Sequence, residues 1–163
     1  MKLEDLKICI ERELEDIYVL NQSLTPKLGE LENIQHLKRL INMSECSVGL
    51  KIKGKIAAFI ICFREDSGYE SKNYLYFNKK YKEFLYVDRV GVSKGLENNG
   101  LGSTLYKHII ENFGENLKIC AEINTKPMNK KSILFHEKHD FKRILEKCYN
   151  ENYNVVFMER NAS

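Results

Sequence analysis

The sequence has no tryptophan, only two prolines (Pro26 and Pro127) and nine thinly spread glycines in 163 residues. That scarcity excludes proline- or glycine-rich linkers and collagen-like or low-complexity tracts. No segment repeats at a period of roughly 20 to 50 residues, which excludes a solenoid or propeller. No apolar run approaches the roughly 20 residues of a membrane-spanning helix, and the opening MKLEDLKICIERELED carries charge through every turn where a signal peptide would be apolar. The five cysteines, Cys9, Cys46, Cys62, Cys120 and Cys148, are far apart, odd in number and without a CxxC pair. Neither a disulfide framework nor a zinc knuckle is expected from them, and they read as small buried apolar residues. The expectation is a cytoplasmic, reduced protein with no metal and no membrane association.

What is present is ordinary globular composition, 43% hydrophobic and 30% charged, which fits a single domain spanning 1–163 with one sizeable core. The 26 Lys and Arg against 23 Asp and Glu leave a net charge of +3. The basic residues are interspersed with acidic ones, so nucleic acid is not expected as a partner. The richest basic stretch, Lys126, Lys130, Lys131, Lys138, Lys142 and Arg143, suits a solvated face or one phosphorylated small ligand equally well.

Periodicity places a short strand at residues 6 to 11 and a helix over Glu13 to Ser23, closed by Thr25-Pro26. A second helix is expected from Leu31 to Met43. Ser47 to Lys53 and Lys55 to Phe63 then read as a hairpin turning at Gly54, its second strand almost unbroken in apolar character. A polar, aromatic loop is expected from Asp66 to Lys82, followed by a central strand at 84 to 92. Next come a helix over Leu101 to Phe113, a strand at 117 to 124, a helix over Asn129 to Lys138 and strands near 141 to 149 and 153 to 159. The order β-α-α-β-β-β-α-β-α-β-β predicts an α/β fold with a mixed, mostly antiparallel sheet of about seven strands and helices on both faces.

The strongest local signal is VGVSKGLENNGLGSTLY, where an apolar strand ends at Val92 and a helix opens at Gly100 or Leu101. The first-turn amides of a helix lack helical partners and carry partial positive charge, so a phosphate is their natural occupant. Gly100 and Gly102 allow the backbone to approach such a ligand closely. The dinucleotide fingerprint GxGxxG fails for want of a third glycine after Gly102, and GxxxxGK[ST] fails because Leu101 and Gly102 follow Gly100.

This segment resembles the acyl-CoA signature of the GNAT N-acetyltransferase superfamily, [Gln/Arg]-x-x-Gly-x-[Gly/Ala] at the start of a helix. The stretch from Glu122 to Phe141, with Asn124, Pro127, Asn129, Ser132 and Phe135-His136-Glu137-Lys138, resembles the next strand and helix of that superfamily. The segments Tyr69 to Phe77 and Phe84 to Arg89 are similar to a subgroup of it. Two departures stand out: Glu97 replaces the usual Gln or Arg, and His136 replaces a tyrosine that serves as a general acid. Asp140 also stands where a glycine is usual.

The resemblance implies transfer of an acetyl group from acetyl-CoA, as cosubstrate, directly to a primary amine of a small molecule or peptide. It implies that Val90, Gly91, Val92, Glu97, Asn98, Asn99, Gly100, Leu101, Gly102, Ser103, Asn129 and Ser132 line the cosubstrate. An ammonium group of pKa about 10.4 must lose a proton before attack. Asp88 and Glu122, carboxylates within apolar strands, are the candidate bases, and a structural Asp88–Arg89 ion pair is the competing reading of the first. A backbone amide near Val90 to Val92 is the candidate oxyanion donor, and His136 the candidate acid, with Tyr106 as a substitute. Tyr69, Ser71, Asn73 and Tyr74 are expected to wall the acceptor. The alternative is a non-catalytic acyl-CoA binding or sensing module, and either could be a monomer or a homodimer, with the tyrosines of the last two strands available to bury an edge.

Overall fold

The structure is a computed structural model and describes all 163 residues. Seven strands form one sheet in the order β1-β2-β3-β4-β5-β7-β6, with β1 Lys2–Asp5, β2 Cys46–Ile52, β3 Lys55–Arg64, β4 Leu85–Val92, β5 Ile119–Lys126, β6 Lys142–Asn150 and β7 Tyr153–Arg160. Five helices cover its faces: α1 Glu11–Ser23, α2 Ile34–Met43, α3 Lys72–Lys80, α4 Leu101–Phe113 and α5 Lys130–Lys138. This is the mixed α/β architecture predicted from the element order. No helix is long and apolar enough to cross a membrane.

Three local expectations are corrected. The first strand lies at Lys2–Asp5 and not at residues 6 to 11, where Asp5 accepts a hydrogen bond from the Lys7 amide (2.9 Å) and starts a 3-10 turn over Leu6–Ile8. The alternation of LKICIE was misleading because only Leu6 is buried, while Ile8 and Ile10 are exposed. The second helix begins at Ile34, capped by the Asn33 side chain on the His36 amide (2.9 Å). The segment from Asp66 to Lys82 is not all loop, since it contains α3. There Tyr74 and Phe77, three residues apart, bury one face, and Lys79 and Lys80 complement the helix C-terminus. Cys46, Cys62 and Cys120 are buried as expected, whereas Cys9 is half-buried and Cys148 exposed.

β3 is buried along nearly its whole length and separates two apolar clusters. One, under α4 and α5, holds Val87, Leu101, Leu105, Tyr106, Ala121 and Ile123. The other, under α1, α2 and α3, holds Phe59, Phe63, Tyr74, Phe77, Tyr86 and Phe157. Two irregularities interrupt the sheet at its centre. β4 and β5 are parallel but pair only at Leu85–Ile119 and Tyr86–Cys120, after which they diverge. In β4, Val87 faces Cys62 and Arg89 faces Ile61, so Asp88 is the extra residue of a β-bulge.

Candidate active site

Divergence of β4 from β5 leaves the second half of β4 with a partner on one side only. The Ser93 amide bonds the Ala57 carbonyl of β3 (2.8 Å). Alternation along the strand therefore turns the Gly91 amide the same way and the Val90 and Val92 amides toward the open edge. β4 then runs through residues 93 to 100 into α4. Gly100 caps that helix at φ 77°, in the left-handed region, with no side chain capping the first-turn amides and no acidic residue in that turn. The first helical bond there is from the Thr104 amide to the Gly100 carbonyl (2.9 Å), so the amides of Leu101, Gly102 and Ser103 lack helical partners. Leu101 is buried and anchors the turn in the core. A Cβ at Gly102 would touch only the Phe135 ring at 3.6 Å, so this glycine is not required by packing.

Glu97, exposed in this loop, folds back to accept from the Gly95 amide (2.6 Å). Hydrogen bonds from its own amide and from Gly95 hold its carboxyl below the usual range, with Lys131 and Lys94 adding to the effect. Asn99 donates to the carbonyls of Leu96 (3.0 Å) and Glu97 (3.2 Å) and stiffens the loop. Asn129 caps α5 by accepting from the Ser132 amide (3.3 Å).

Between α4 and α5 lies a buried pair. His136 Nδ1 is 2.7 Å from the Ser132 carbonyl oxygen, which can only accept, so Nδ1 carries the proton. Nε2 therefore accepts from the Tyr106 hydroxyl, 2.5 Å away. Phe135, Phe141 and Tyr106 present ring edges to the imidazole. Burial pushes the His136 pKa down to about 4, so the ring is neutral at pH 7.

On the opposite sheet face the two candidate bases differ. Asp88 has both oxygens engaged, one by the Arg89 Nε (2.7 Å) and the other by the Tyr69 hydroxyl (2.7 Å). Arg89 in turn donates to Asn21 Oδ1 (3.0 Å) and the Gly29 carbonyl (3.1 Å), clamping the α1–α2 connection onto β4. Gly91 permits that approach, because a Cβ there would lie 2.8 Å from the Phe59 ring and 2.9 Å from Leu24. Glu122 is bound on one oxygen by the Tyr86 hydroxyl (2.6 Å). Burial pushes its pKa up to about 8, opposed by the Tyr86 hydrogen bond and reinforced by Asp88. Near it, Ser71, Lys72, Asn73, Tyr149, Asn150 and Tyr153 line a cavity of about 380 Å³.

An unpartnered helix start beside an opened parallel strand pair is the geometry expected from the resemblance of residues 90–106 to the acyl-CoA signature. The pattern of the Acetyltransferase (GNAT) family matches residues 12–141. The chain belongs to this family.

Solved structures share the acetyltransferase fold at low sequence identity. The ribosomal-protein-S18-alanine N-acetyltransferase of Escherichia coli matches with a TM-score of 0.69 and 16% identity, over 99% of this chain and 94% of that one. Arabidopsis thaliana Naa50, in complex with the bisubstrate analogue CoA-Ac-MVNAL, matches at 0.72 and 17%, over 98% and 97%. An aminoglycoside 6'-N-acetyltransferase complexed with coenzyme A matches at 0.76 and 9%, over 100% and 98%. No curated protein matches the sequence significantly.

The structure thus gathers the predicted residues of this acetyltransferase into two groups. Val90, Val92 and the loop from Glu97 to Ser103 lie on the α4 side of the open edge, with Asn129, Ser132 and His136 beside them on α5. Glu122, Asp88, Tyr69, Ser71 and Asn73 lie on the other. Two residues sit differently from expectation. Gly91 faces Leu24 and Leu28, and Tyr74 is a core residue whose hydroxyl donates to the Arg64 carbonyl (2.7 Å). Sequence reasoning missed Tyr86 as the partner of Glu122 but weighed the Asp88–Arg89 ion pair, which the structure forms (2.7 Å), and it held Tyr149 and Tyr153 available to bury an edge. Tyr86 precedes Asp88 by two, and its place in an apolar strand was the only available signal. Tyr149 and Tyr153 had none, because their partner is Asn73, 76 and 80 residues away.

Proposed function

We propose that the 163 residues form a single acetyl-CoA-dependent N-acetyltransferase domain that moves an acetyl group directly to a primary amine of a small molecule or peptide. The observation that carries this reading is the pairing of unpartnered amides at the α4 start with the open edge of β4. Residues present there fit CoA: the Leu101, Gly102 and Ser103 amides suit its pyrophosphate, and Lys131 and Lys94 lie close enough to act on Glu97 in the same loop. The strand edge at Val90 and Val92 offers amide donors to the pantetheine arm and the thioester oxygen.

Acceptor and cosubstrate approach from opposite faces and meet at the open edge. Glu122, with a pKa near 8, accepts a proton from the bound ammonium, freeing the lone pair that attacks the thioester carbon. Asp88 holds Arg89 and Tyr69 in place instead of serving as base. As the C–S bond breaks, the thiolate takes up one proton. That proton is the second hydrogen shed by the attacking nitrogen as it becomes an amide, since neutral His136 already takes the only Tyr106 hydroxyl hydrogen at Nε2 and the pair has none to give. A thiol of pKa about 8.5 leaves readily without a dedicated acid. The rim of the acceptor cavity contains no carboxylate, which favours an amine attached to a neutral or anionic body over a polycation.

Calorimetric titration with acetyl-CoA, CoA and dephospho-CoA tests the cosubstrate, and CoA release with a panel of amines tests the transfer. Micromolar binding that weakens as phosphate is removed, lost in Gly102→Glu, is the expected outcome. Absence of heat at millimolar acetyl-CoA would overturn the assignment. Binding without CoA release from any amine would establish a sensing module in its place.

A further inference from the structure

The 380 Å³ cavity between α3 and the tip of the β6–β7 hairpin has a one-sided hydrogen-bond inventory. Asn73, in the first turn of α3 and 7% exposed, accepts at Oδ1 from the Tyr149 hydroxyl (2.5 Å) and donates from Nδ2 to the Tyr153 hydroxyl (3.3 Å). The two tyrosine rings stack, with planes 14° from parallel, which braces this wall. The Tyr149 hydrogen is spent on Asn73, but Tyr153 only receives, so its own hydrogen is free to donate. Asn150 Oδ1 is taken by the Asn152 amide (2.7 Å), and its own amide hydrogens are unspent. Ser71, the N-cap of α3, makes no capping side-chain bond, and the first helical bond runs from the Leu75 amide to the Ser71 carbonyl (2.9 Å). The amides of Lys72, Asn73 and Tyr74 therefore lack backbone partners. Lys72 is exposed, forms no salt bridge and is the one charged side chain in the lining. Glu70 and Glu151, the acids next to it and next to Asn150 in the chain or one residue beyond, are exposed and outside the lining.

We propose that this cavity holds an anionic group, a carboxylate or a phosphate, carried by the amine that is acetylated, with Lys72 as the specificity-determining residue. This deepens the function proposed above and rests on that cavity receiving the acceptor. Glu122 and Phe157 are register partners, and Tyr153 precedes Phe157 by four residues, so the Glu122 carboxyl and Tyr153 share one face of the sheet. The amine then lies toward Glu122 and the anion toward Lys72, at opposite ends of one molecule. An anion there takes charge-assisted hydrogen bonds from Lys72 and the unspent hydroxyl and amide donors. A polycation would set its ammonium groups against Lys72 with no carboxylate in the lining to receive them, so the site selects against it.

The test is a nitrogen-15 NMR titration of the full-length protein with inorganic phosphate and, separately, with glutarate, following the Lys72, Asn73 and Tyr74 amides. The Leu101, Gly102 and Ser103 amides report any binding at the α4 start as a separate set of signals. Saturable shifts at the α3 amides are expected, with affinity about tenfold or more weaker in Lys72→Glu and retained in Lys72→Arg. The anion that saturates at lower concentration identifies the group. Saturation by neither anion would overturn the inference without recourse to any variant, and so would wild-type affinity in folded Lys72→Glu. In assays of CoA release, short glycine peptides should exceed their C-terminal amides, or phosphoethanolamine exceed ethanolamine, in kcat/KM, with the difference in KM and abolished in Lys72→Glu. Equal kcat/KM within every pair of acetylated amines would also overturn it. The NMR titration needs neither acetyl-CoA nor turnover, so anion binding without transfer to any amine would count against the proposed function alone.

Discussion

At the scale of single residues, Asp88 and Glu122 show how environment divides two similar carboxyls. Both interrupt apolar strands, and from sequence alone they were equal candidates. The fold gives Asp88 a guanidinium and a phenol, and leaves Glu122 one phenol and deep burial. Glu122→Gln preserves shape and the neutral form, so it should leave acetyl-CoA affinity intact while lowering turnover about 100-fold. Steady-state kinetics beside calorimetry would show whether the loss falls on kcat. Glu97 makes a second prediction. Its carboxylate takes up the Gly95 amide and balances Lys131 and Lys94, so Glu97→Gln should bind CoA several-fold more tightly, with the gain shrinking as salt rises. The chemistry of both residues was visible in the sequence. Their hydrogen-bond partners were not, because Tyr86 and Glu122 are 36 residues apart, and nothing in local pattern reports which strands a sheet sets side by side.

At the scale of elements, glycine spacing at 100 and 102 announced the start of α4, and the apolar runs announced β3 and β4. What escaped was α3, whose aromatic residues matched no simple period, and the first strand, whose charged residues KLED lie at a sheet edge. Edge strands and short helices take their conformation from tertiary packing more than from propensity. Gly91 is a case where element packing sets the residue. A Cβ at that position would press on Phe59, Leu24 and Leu28, and the α1–α2 connection would have to retreat from β4. Gly91→Val should therefore destabilise the protein by about 2 kcal/mol, measured by denaturant unfolding, and loosen the Arg89 clamp on Gly29. An unchanged midpoint would show that the connection yields without loss.

At the scale of the whole molecule, two buried groups give stability opposite pH dependences. His136 has a folded pKa lowered to about 4, so its contribution is present above about 6.5 and is lost as pH falls toward 4. Glu122 has a folded pKa raised to about 8, so its contribution is present below about 4.5 and is lost as pH rises toward 8. Between pH 4.5 and 6.5 the two trends offset. From 6.5 to 8 Glu122 acts alone, and stability should fall by up to about 2 kcal/mol. Thermal melts across that window should show the decline in wild type and a flatter curve in Glu122→Gln, and equal slopes would refute the assigned titration.

The short pairing of β4 with β5 has a mechanical meaning. Only two residue pairs, Leu85–Ile119 and Tyr86–Cys120, are in strand register between the four-stranded half of the sheet and the three-stranded half. The molecule is in effect a pair of tongs with its fulcrum at those pairs and its jaws at Val92 and Lys126. A pantetheine chain lying between the jaws would take the place of the missing strand, so cosubstrate binding would complete the sheet and stiffen both halves against each other.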